Sequence, residues 1–107
     1  MVVKRFEIWL VSLDPVQGSE IAKTRPCVIV SPDVLNRHLA TVLAAPLTST
    51  IKNYPSRLNC TTLGRNGQIV LDQIRAVDKT RLVKSLGVLD NTTAFQLCVL
   101  LTEMFEY

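Results

Sequence analysis

The amino-terminal third of this chain contains the segment Gly18-Ser19-Glu20-Ile21-Ala22-Lys23-Thr24-Arg25-Pro26, followed directly by the apolar run Cys27-Val28-Ile29-Val30. Upstream, Asp14-Pro15 is typical of a turn, and glycine at position 18 allows backbone conformations that a side chain would forbid. The apolar run is typical of a strand, and proline is best tolerated at the first residue or on the edge of one. We therefore expect a loop over residues 14–24, with Arg25 at its junction with the strand.

Length and composition set the scale of the molecule. The chain has 107 residues, 48% of them hydrophobic, which predicts a single domain over residues 1–107 with one core. The formal net charge is +3, which mildly favours a polyanionic partner. No apolar run is long enough to cross a membrane, and Lys4 and Arg5 interrupt any signal peptide, so we expect a cytoplasmic location and no membrane contact. Three widely spaced cysteines favour reduced thiols over a disulfide.

Short segments rich in β-favouring residues recur along the chain, each closed by a turn signal. A short helical turn is predicted at residues 34–37, after Ser31-Pro32-Asp33. Predicted strands cover residues 6–13, 27–30, 41–47 (broken at Pro46), 57–60, 68–71, 73–77 and 83–88, with a turn at residues 64–67 and a bend around Asp72. Such a pattern, followed by one helix, predicts a mainly β fold, an SH3-like small barrel with a C-terminal α-helix.

The C-terminal segment changes to helical periodicity. Asp90 is a natural N-cap, and one stripe of the predicted helix contains Ala94, Leu97, Cys98, Leu101, Met104 and Phe105. Phe95, Val99 and Leu100 lie outside that stripe. Since one sheet face cannot cover so wide an apolar surface, the surplus predicts a homodimer.

The sequence offers little for familiar catalytic chemistries. His38 is the single histidine, so no histidine acid/base pair is possible. Zinc-ligand spacings and glycine-rich phosphate loops are absent, and the carboxylates Glu20, Asp72 and Asp78 are scattered. We therefore expect no metal and no cofactor. Taken one by one, Arg25, residues 48–50 and Asp72-Gln73 are compatible with ordinary surface positions.

Their order, however, resembles the MazF/PemK toxin endoribonucleases of bacterial toxin–antitoxin systems. The resemblance runs over nearly the whole chain, apart from Phe6, where that family commonly has glycine. It rests on Glu7-Ile8-Trp9, Leu13-Asp14-Pro15, Gly18-Ser19-Glu20, Thr24-Arg25-Pro26, Val28-Ile29-Val30-Ser31-Pro32, Asn36, Pro46-Leu47-Thr48-Ser49, Tyr54-Pro55 and Leu71-Asp72-Gln73-Ile74-Arg75.

The resemblance implies a homodimeric toxin that cuts single-stranded RNA at a short sequence without metal and inhibits translation. The RNA 2′-hydroxyl would attack, leaving a 2′,3′-cyclic phosphate and a 5′-hydroxyl. An acidic, partly disordered antitoxin would be its partner. By this resemblance Arg25 and Thr48 are catalytic, with Glu20 a further catalytic candidate. The RNA-binding candidates are Ser19, Lys23, Thr24, Asn36, Ser49, Tyr54, Pro55, Asp72, Gln73 and Arg75.

Residue chemistry agrees in part with these roles. A guanidinium can donate two hydrogen bonds to the oxygens of a pentacoordinate phosphorus, and Thr48 can donate a third. Arginine is a poor general base, so either Glu20 or a water molecule must accept the 2′-hydroxyl proton. Two other readings stay open: a CcdB-like toxin that poisons DNA gyrase without catalysis, and a non-catalytic SH3-like module that binds RNA or peptide.

Overall fold

Seven strands and two helices make up the protein, and the computed structural model describes all residues from 1 to 107. The elements are β1 (Glu7–Ser12), β2 (Thr24–Ile29), α1 (Asp33–His38), β3 (Thr41–Thr48), β4 (Arg57–Thr62), β5 (Arg65–Val70), β6 (Arg75–Asp78), β7 (Leu82–Val88) and α2 (Asn91–Met104). Short 3-10 turns at Leu71–Gln73 and Lys79–Arg81 flank β6.

The strands form one curled, open sheet in the order β4-β5-β3-β2-β1-β7, with β6 paired to β3. Every pairing is antiparallel. Strand β3 connects the halves of the sheet, since it pairs with β6 near its start, with β2 in its middle and with β5 at its end. The mainly β, barrel-like fold with a C-terminal helix is thus as predicted, although the sheet does not close.

Strand β2 explains why its sequence is a continuous apolar run. Successive side chains of a strand point to opposite faces, and here Cys27 and Ile29 join one cluster of nine buried residues while Val28 and Val30 join another. Both faces of the sheet are therefore covered. The expectation of one hydrophobic core is corrected to two clusters separated by the sheet.

Helix α2 covers one of these faces. As predicted, Asp90 caps it, accepting a hydrogen bond from the backbone N–H of Thr93. Ala94 and Leu97 are buried in the same cluster as Val28. Two assignments differ from prediction: Leu100 packs partly against this cluster, whereas Phe105 lies beyond the helix and is 78% exposed. Of the surplus apolar residues, Phe95 and Val99 are the exposed ones.

Several element boundaries differ from the sequence-based ones for local reasons. Strand β2 begins at Thr24, because Thr24 and Arg25 pair with Ser12 and Val11 of β1. Pro46 does not break β3. The turn between β4 and β5 is Leu63-Gly64, both at positive φ, the backbone that tight hairpins favour. Residues 65–67, predicted as part of that turn, therefore belong to β5.

Phe6 stands at the position where the MazF/PemK family commonly has glycine, and its backbone conformation shows why glycine suits this position. Its φ of 71° lies in the left-handed region, where glycine is at ease and a bulky residue is not. Its N–H donates to the carbonyl of Ile29 and its own carbonyl accepts from Leu89. These bonds hold the turn, so β1 begins one residue later at Glu7.

Candidate active site

Arg25 and Thr48, the two residues assigned to catalysis from sequence, line one cleft. Neighbouring strands position them, because β2 runs beside β3 and Cys27 lies opposite Pro46. Ser49 lies in the same cleft. We use the term cleft for the hollow lined by Arg25, Pro26, Leu47, Thr48, Ser49, Cys60, Thr62, Leu63, Arg65, Asn66 and Gly67.

The guanidinium of Arg25 is anchored by one of its nitrogens. Its Nε donates to the carbonyl of Ala22 at 3.1 Å, and the side chain is half-buried. The one salt bridge of the protein joins Arg57 and Asp72, so Arg25 has no carboxylate partner. Both terminal nitrogens are thus left to donate to an oxyanion in the planar, paired arrangement that suits phosphate.

Thr48 occupies the last position of β3. Its Oγ1 accepts a hydrogen bond from the N–H of Thr50 at 3.1 Å. A hydroxyl has one proton to donate in addition to its lone pairs. That proton has no protein acceptor, so Thr48 can donate it to a ligand in the cleft.

Gly67 lets β5 approach the backbone of Thr48. A Cβ at position 67 would lie 2.4 Å from the carbonyl oxygen of Thr48, far inside van der Waals contact. The position therefore requires glycine, although its φ is unremarkable. No sequence pattern indicates this requirement, because the turn predicted at residues 64–67 already explains a glycine there.

Arg65 is a charged cleft residue that the sequence analysis does not single out. It is exposed at the start of β5 and has no carboxylate within salt-bridge distance. The cleft thus combines two uncompensated guanidiniums with the hydroxyls of Thr48, Ser49 and Thr62. Only correct placement of the Leu63-Gly64 turn could have indicated Arg65, because that turn folds β5 back onto β4.

A second hollow contains Glu20 and part of the predicted RNA-binding set. We call it the loop hollow, since one wall belongs to the loop between β1 and β2. It is lined by Leu13, Glu20, Ile21, Pro46, Asp72, Gln73, Ile74 and Arg75. The structure therefore separates Glu20 from the cleft that contains Arg25 and Thr48.

Polar side chains of the loop hollow hold that loop in place. Gln73 Oε1 accepts from the N–H of Ile21 at 2.7 Å, and Arg75 Nη1 donates to the carbonyl of Leu13 at 3.1 Å. Glu20 accepts from the N–H of Gln17. These groups have structural contacts, and RNA binding by any of them stays a prediction.

Asp72, which lines the loop hollow, is also bonded to Ser56 and Arg57 at the surface. Its carboxylate accepts from Arg57 Nε at 2.8 Å and from Ser56 Oγ at 2.9 Å. Partial burial opposes ionisation of Asp72, but the hydrogen bonds from Arg57 and Ser56 outweigh it and hold the pKa of its carboxyl below the usual value. The Arg57 guanidinium also lies 5.4 Å from the centre of the Tyr54 ring, a cation–π distance.

Asn36 is in the interior, not on an RNA-facing surface. It is 2% exposed, its Oδ1 accepts from the Ser31 hydroxyl, and its Nδ2 donates to the Ser31 carbonyl at 2.9 Å. Both ends of the amide are engaged in anchoring α1. This corrects the sequence-based placement of Asn36. The remaining candidates are exposed, namely Ser19, Lys23, Thr24, Ser49, Tyr54 and Pro55.

Cys27 is fully buried in β2, two residues after Arg25. Burial raises the pKa of its thiol to about 12, against the opposing charges of Arg75 and Arg25. The thiol is therefore protonated at neutral pH and a poor nucleophile. All three cysteines are free thiols.

No group of three or more His, Cys, Asp or Glu side chains converges in a way that would hold a metal ion. No helix is long and apolar enough to cross a membrane.

Comparison with known proteins decides the family. Residues 4–105 match the family described as PemK-like, MazF-like toxin of type II toxin–antitoxin system. The chain belongs to this toxin family. Endoribonuclease EndoA of Bacillus subtilis is 33% identical to this toxin over 97 residues, which cover 85% of this chain and 84% of that protein.

Solved structures show the same fold. MazF from Deinococcus radiodurans matches with a TM-score of 0.86 at 23% identity, over 100% of this chain and 99% of that one. A mycobacterial endoribonuclease in complex with its cognate antitoxin matches with a TM-score of 0.79 at 24% identity, over 94% and 92%. At such identities the likeness concerns the fold, so the activity of this toxin has to be argued from its own cleft.

Proposed function

We propose that this toxin is a sequence-specific endoribonuclease that cuts single-stranded RNA, mRNA included, in the bacterial cytoplasm and thereby inhibits translation. The observation that carries the proposal is the state of two side chains in one cleft. Arg25 is fixed through Nε with both terminal nitrogens unengaged, and Thr48 has a hydroxyl proton with no acceptor. Donors arranged in this way suit a phosphoryl group that gains charge during reaction.

The reaction needs no nucleophile from the protein. The ribose 2′-oxygen forms a bond to the adjacent phosphorus while the bond from phosphorus to the 5′-oxygen breaks. The products are a 2′,3′-cyclic phosphate and a 5′-hydroxyl. Arg25 donates two hydrogen bonds to the non-bridging oxygens and Thr48 donates one, so charge on the pentacoordinate intermediate is stabilised in place.

Proton transfer proceeds through water in this proposal. The Glu20 carboxylate lines the loop hollow, not the cleft, and it accepts a hydrogen bond from Gln17. A general base must lie within hydrogen-bond reach of the proton that it removes. We therefore assign the 2′-hydroxyl proton to water, which also protonates the leaving 5′-oxygen, and we assign Glu20 to RNA binding.

A second copy of the chain covers the exposed apolar residues of α2 in this proposal. Phe95 is 70% exposed and Val88, just before the helix, is 65% exposed, and large exposed apolar side chains grouped together are typical of interfaces. Phe95→Glu should convert a dimer to monomers in light scattering, since a charge buried there would be desolvated. Gln96→Glu, one residue along the helix, is the matched control. A dimer in both variants would place the interface elsewhere.

The antitoxin partner follows from family membership and from charge. Arg25 and Arg65 line the cleft, and Lys23 lies two residues before Arg25 in the chain. None of these three cations has a carboxylate partner. An acidic, disordered antitoxin segment would bind the same surface as RNA. An acidic peptide should therefore compete with uncleavable RNA in a binding assay, whereas simultaneous binding of both would contradict a shared surface.

The test of activity is cleavage of a mixed RNA pool followed by analysis of the new ends. We expect cyclic phosphates and 5′-hydroxyls at the new ends. We also expect cleavage to continue in EDTA, because the nucleophile comes from the substrate and Arg25 stabilises the charge on the phosphoryl group, so that no step requires a metal. Cleavage that stops in EDTA would move the chemistry to the carboxylates. Absence of cleavage, with binding to gyrase or to an intact RNA, would favour the two non-catalytic readings.

Arg25→Lys makes the test specific to the cleft. Lysine keeps the charge but loses the planar pair of donors. We expect turnover to fall by about 100-fold or more with RNA binding near normal, as when a donor that acts in the transition state is removed. Arg37→Lys, at an exposed position at the end of α1, should leave turnover unchanged. Equal rates for wild type and Arg25→Lys would show that Arg25 supplies only general charge.

A further inference from the structure

A polar pocket adjoins the cleft and has no part in the chemistry described above. It opens between β4, β5 and the loop after β3, with a volume of about 400 Å³. Cys60, Asn66 and Gly67 line both it and the cleft, so the two are continuous. We call it the side pocket, and it is lined by Ile51, Asn59, Cys60, Thr61, Asn66 and Gly67.

The orientation of one buried amide beneath this pocket is fixed by the backbone. Gln68 is 2% exposed. Its Oε1 accepts from the N–H of Lys52 at 3.1 Å, and its Nε2 donates to the carbonyl of Lys52 at 2.9 Å. A backbone N–H only donates and a carbonyl only accepts, so the two ends of the Gln68 amide cannot be exchanged.

That orientation determines the next amide in the chain of bonds. Gln68 Nε2 also donates to Asn59 Oδ1 at 2.7 Å. Asn59 must therefore direct its oxygen toward Gln68 and keep its NH₂ group for the pocket, where it has no protein partner. Asn66 also lines the pocket, and its Oδ1 accepts from the Thr61 hydroxyl at 2.6 Å. Because a hydroxyl can either donate or accept, Asn59 is the one amide of the pocket whose orientation is determined by the backbone, through Gln68.

We propose that the side pocket binds one RNA base next to the scissile phosphate and that Asn59 selects a base with a carbonyl oxygen at the position of uracil O4 or guanine O6. The inference rests on the proposed ribonuclease function. Uracil presents acceptors at O2 and O4, and guanine presents O6 and N7. Cytosine and adenine present an amino group where uracil and guanine have an oxygen, and an amino group facing an amide NH₂ has no acceptor.

An RNA base fits the pocket better than an isolated anion or a peptide. Ile51, which is 59% exposed, and Cys60 supply apolar surface for the flat face of a ring. No lysine or arginine lines the pocket, whereas the adjoining cleft contains Arg25 and Arg65. Phosphate would therefore bind in the cleft and the base beside it, as RNA recognition by splayed single strands requires.

The decisive variant is Asn59→Asp, which keeps the oxygen that accepts from Gln68 and replaces only the pocket-facing NH₂ with an oxygen. Binding is measured with uncleavable 2′-O-methyl octamers of uridine and of cytidine, and cleavage with a randomised RNA pool. Wild type should bind the uridine octamer about 10-fold more tightly, which a good pair of base contacts supplies. In the pool, one position beside the cut should favour U or G.

Asn59→Asp should abolish or reverse that ratio, because its new acceptor matches an amino group. Asn53→Asp is the matched control: it adds the same charge on the loop that precedes β4, at an exposed residue that lines neither the side pocket nor the cleft. It should weaken binding of both octamers alike and leave their ratio unchanged. Thermal unfolding of each variant confirms that the fold is intact.

The outcomes separate this inference from the proposed function. Equal binding of the two octamers by wild type, or an unchanged ratio in Asn59→Asp, would overturn base selection by Asn59 whether or not RNA is cleaved. A ratio that responds to Asn59→Asp without any cleavage would support the pocket and overturn the ribonuclease proposal. Cleavage together with a responsive ratio supports both.

Discussion

The cleft and the loop hollow are both rich in polar side chains, yet they differ in what those side chains do. In the cleft, Arg25 and Thr48 each make one contact that fixes the group and keep their remaining donors unengaged. In the loop hollow, Gln73 and Arg75 use their polar atoms to hold the backbone of Ile21 and Leu13. Residue type and proximity alone would make the two hollows equally good candidates.

This difference shows that a catalytic site is recognised by unused hydrogen-bonding capacity held in a fixed geometry. A donor that already has a protein acceptor must break that bond before it can stabilise a transition state. A preorganised and unengaged donor has no such cost. Substitutions in the cleft should therefore change turnover, and substitutions in the loop hollow should mainly change stability and loop order.

Thr48→Val provides the largest expected effect. Valine keeps the shape of threonine and removes the hydroxyl proton, so turnover should fall by about 100- to 1000-fold while RNA binding changes little. Thr50→Val is the matched control, because Thr50 contacts Thr48 through its backbone N–H and not through its hydroxyl. Single-turnover cleavage measures both variants. A Thr48→Val protein with wild-type turnover would remove the cleft from the chemistry.

Gly67→Ala tests whether the cleft wall positions Thr48. The added Cβ would meet the Thr48 carbonyl at 2.4 Å, so either β3 or β5 must shift. Overpacking of this kind typically costs about 1–3 kcal/mol of unfolding free energy, which urea denaturation measures. Turnover should fall as well, since the catalytic hydroxyl is displaced. Unchanged stability together with unchanged turnover would mean that the strands separate freely at this point.

Gln73→Met tests the loop hollow, where we expect a smaller and different effect. The N–H of Ile21 would lose its acceptor, at a cost of about 0.5–1.5 kcal/mol, and limited proteolysis should cut faster within residues 14–23. Turnover should change by no more than several-fold. Gln96→Met, on the exposed face of α2, controls for the new side chain. A loss of turnover as large as that of Thr48→Val would erase the distinction between the two hollows.

Acid stability gives the smallest effect, at the Arg57–Asp72 pair near the loop hollow. The pKa of Asp72 is lowered in the folded protein, so its carboxylate contributes stability above its ordinary pKa of about 4. That contribution should decrease as the pH falls through the lowered folded-state pKa. Urea midpoints between pH 7 and pH 2 should therefore decline less steeply below pH 4 in Asp72→Asn. An equal slope in both proteins would show that the pair contributes nothing measurable.

The sequence predicted the fold well because its signals are local. Turn dipeptides, the apolar run in β2 and the helical period of α2 each reflect contacts within a few residues. The boundaries at Thr24 and Arg65 were wrong because pairing with β1 and β4 decides them, and pairing is not local. The buried state of Asn36 also depends on a non-local contact, because its partner Ser31 accepts a hydrogen bond from the N–H of Leu43 in β3.

The candidate site was predicted in part, and for a different reason. Arg25 and Thr48 were found through the order of motifs, and the structure brings them into one cleft. Arg65, Gly67 and Asn59 were missed because nothing in their neighbouring residues distinguishes them from turn or strand positions. These residues come to line the cleft and the side pocket only because β5 pairs with β3 and β4.

The amide of Gln68 has a consequence for how related toxins can diverge. Because it is bonded at once to the Lys52 backbone and to Asn59, a change at position 59 to a residue without an acceptor removes one bond from Gln68. Loss of the Gln68 amide would in turn leave the Lys52 N–H and carbonyl without their partner, and each buried polar group left unpaired costs about 1–3 kcal/mol. Positions 59 and 68 should therefore be inherited as a pair, so that descendants acquire new RNA targets in coordinated steps and not by single substitutions.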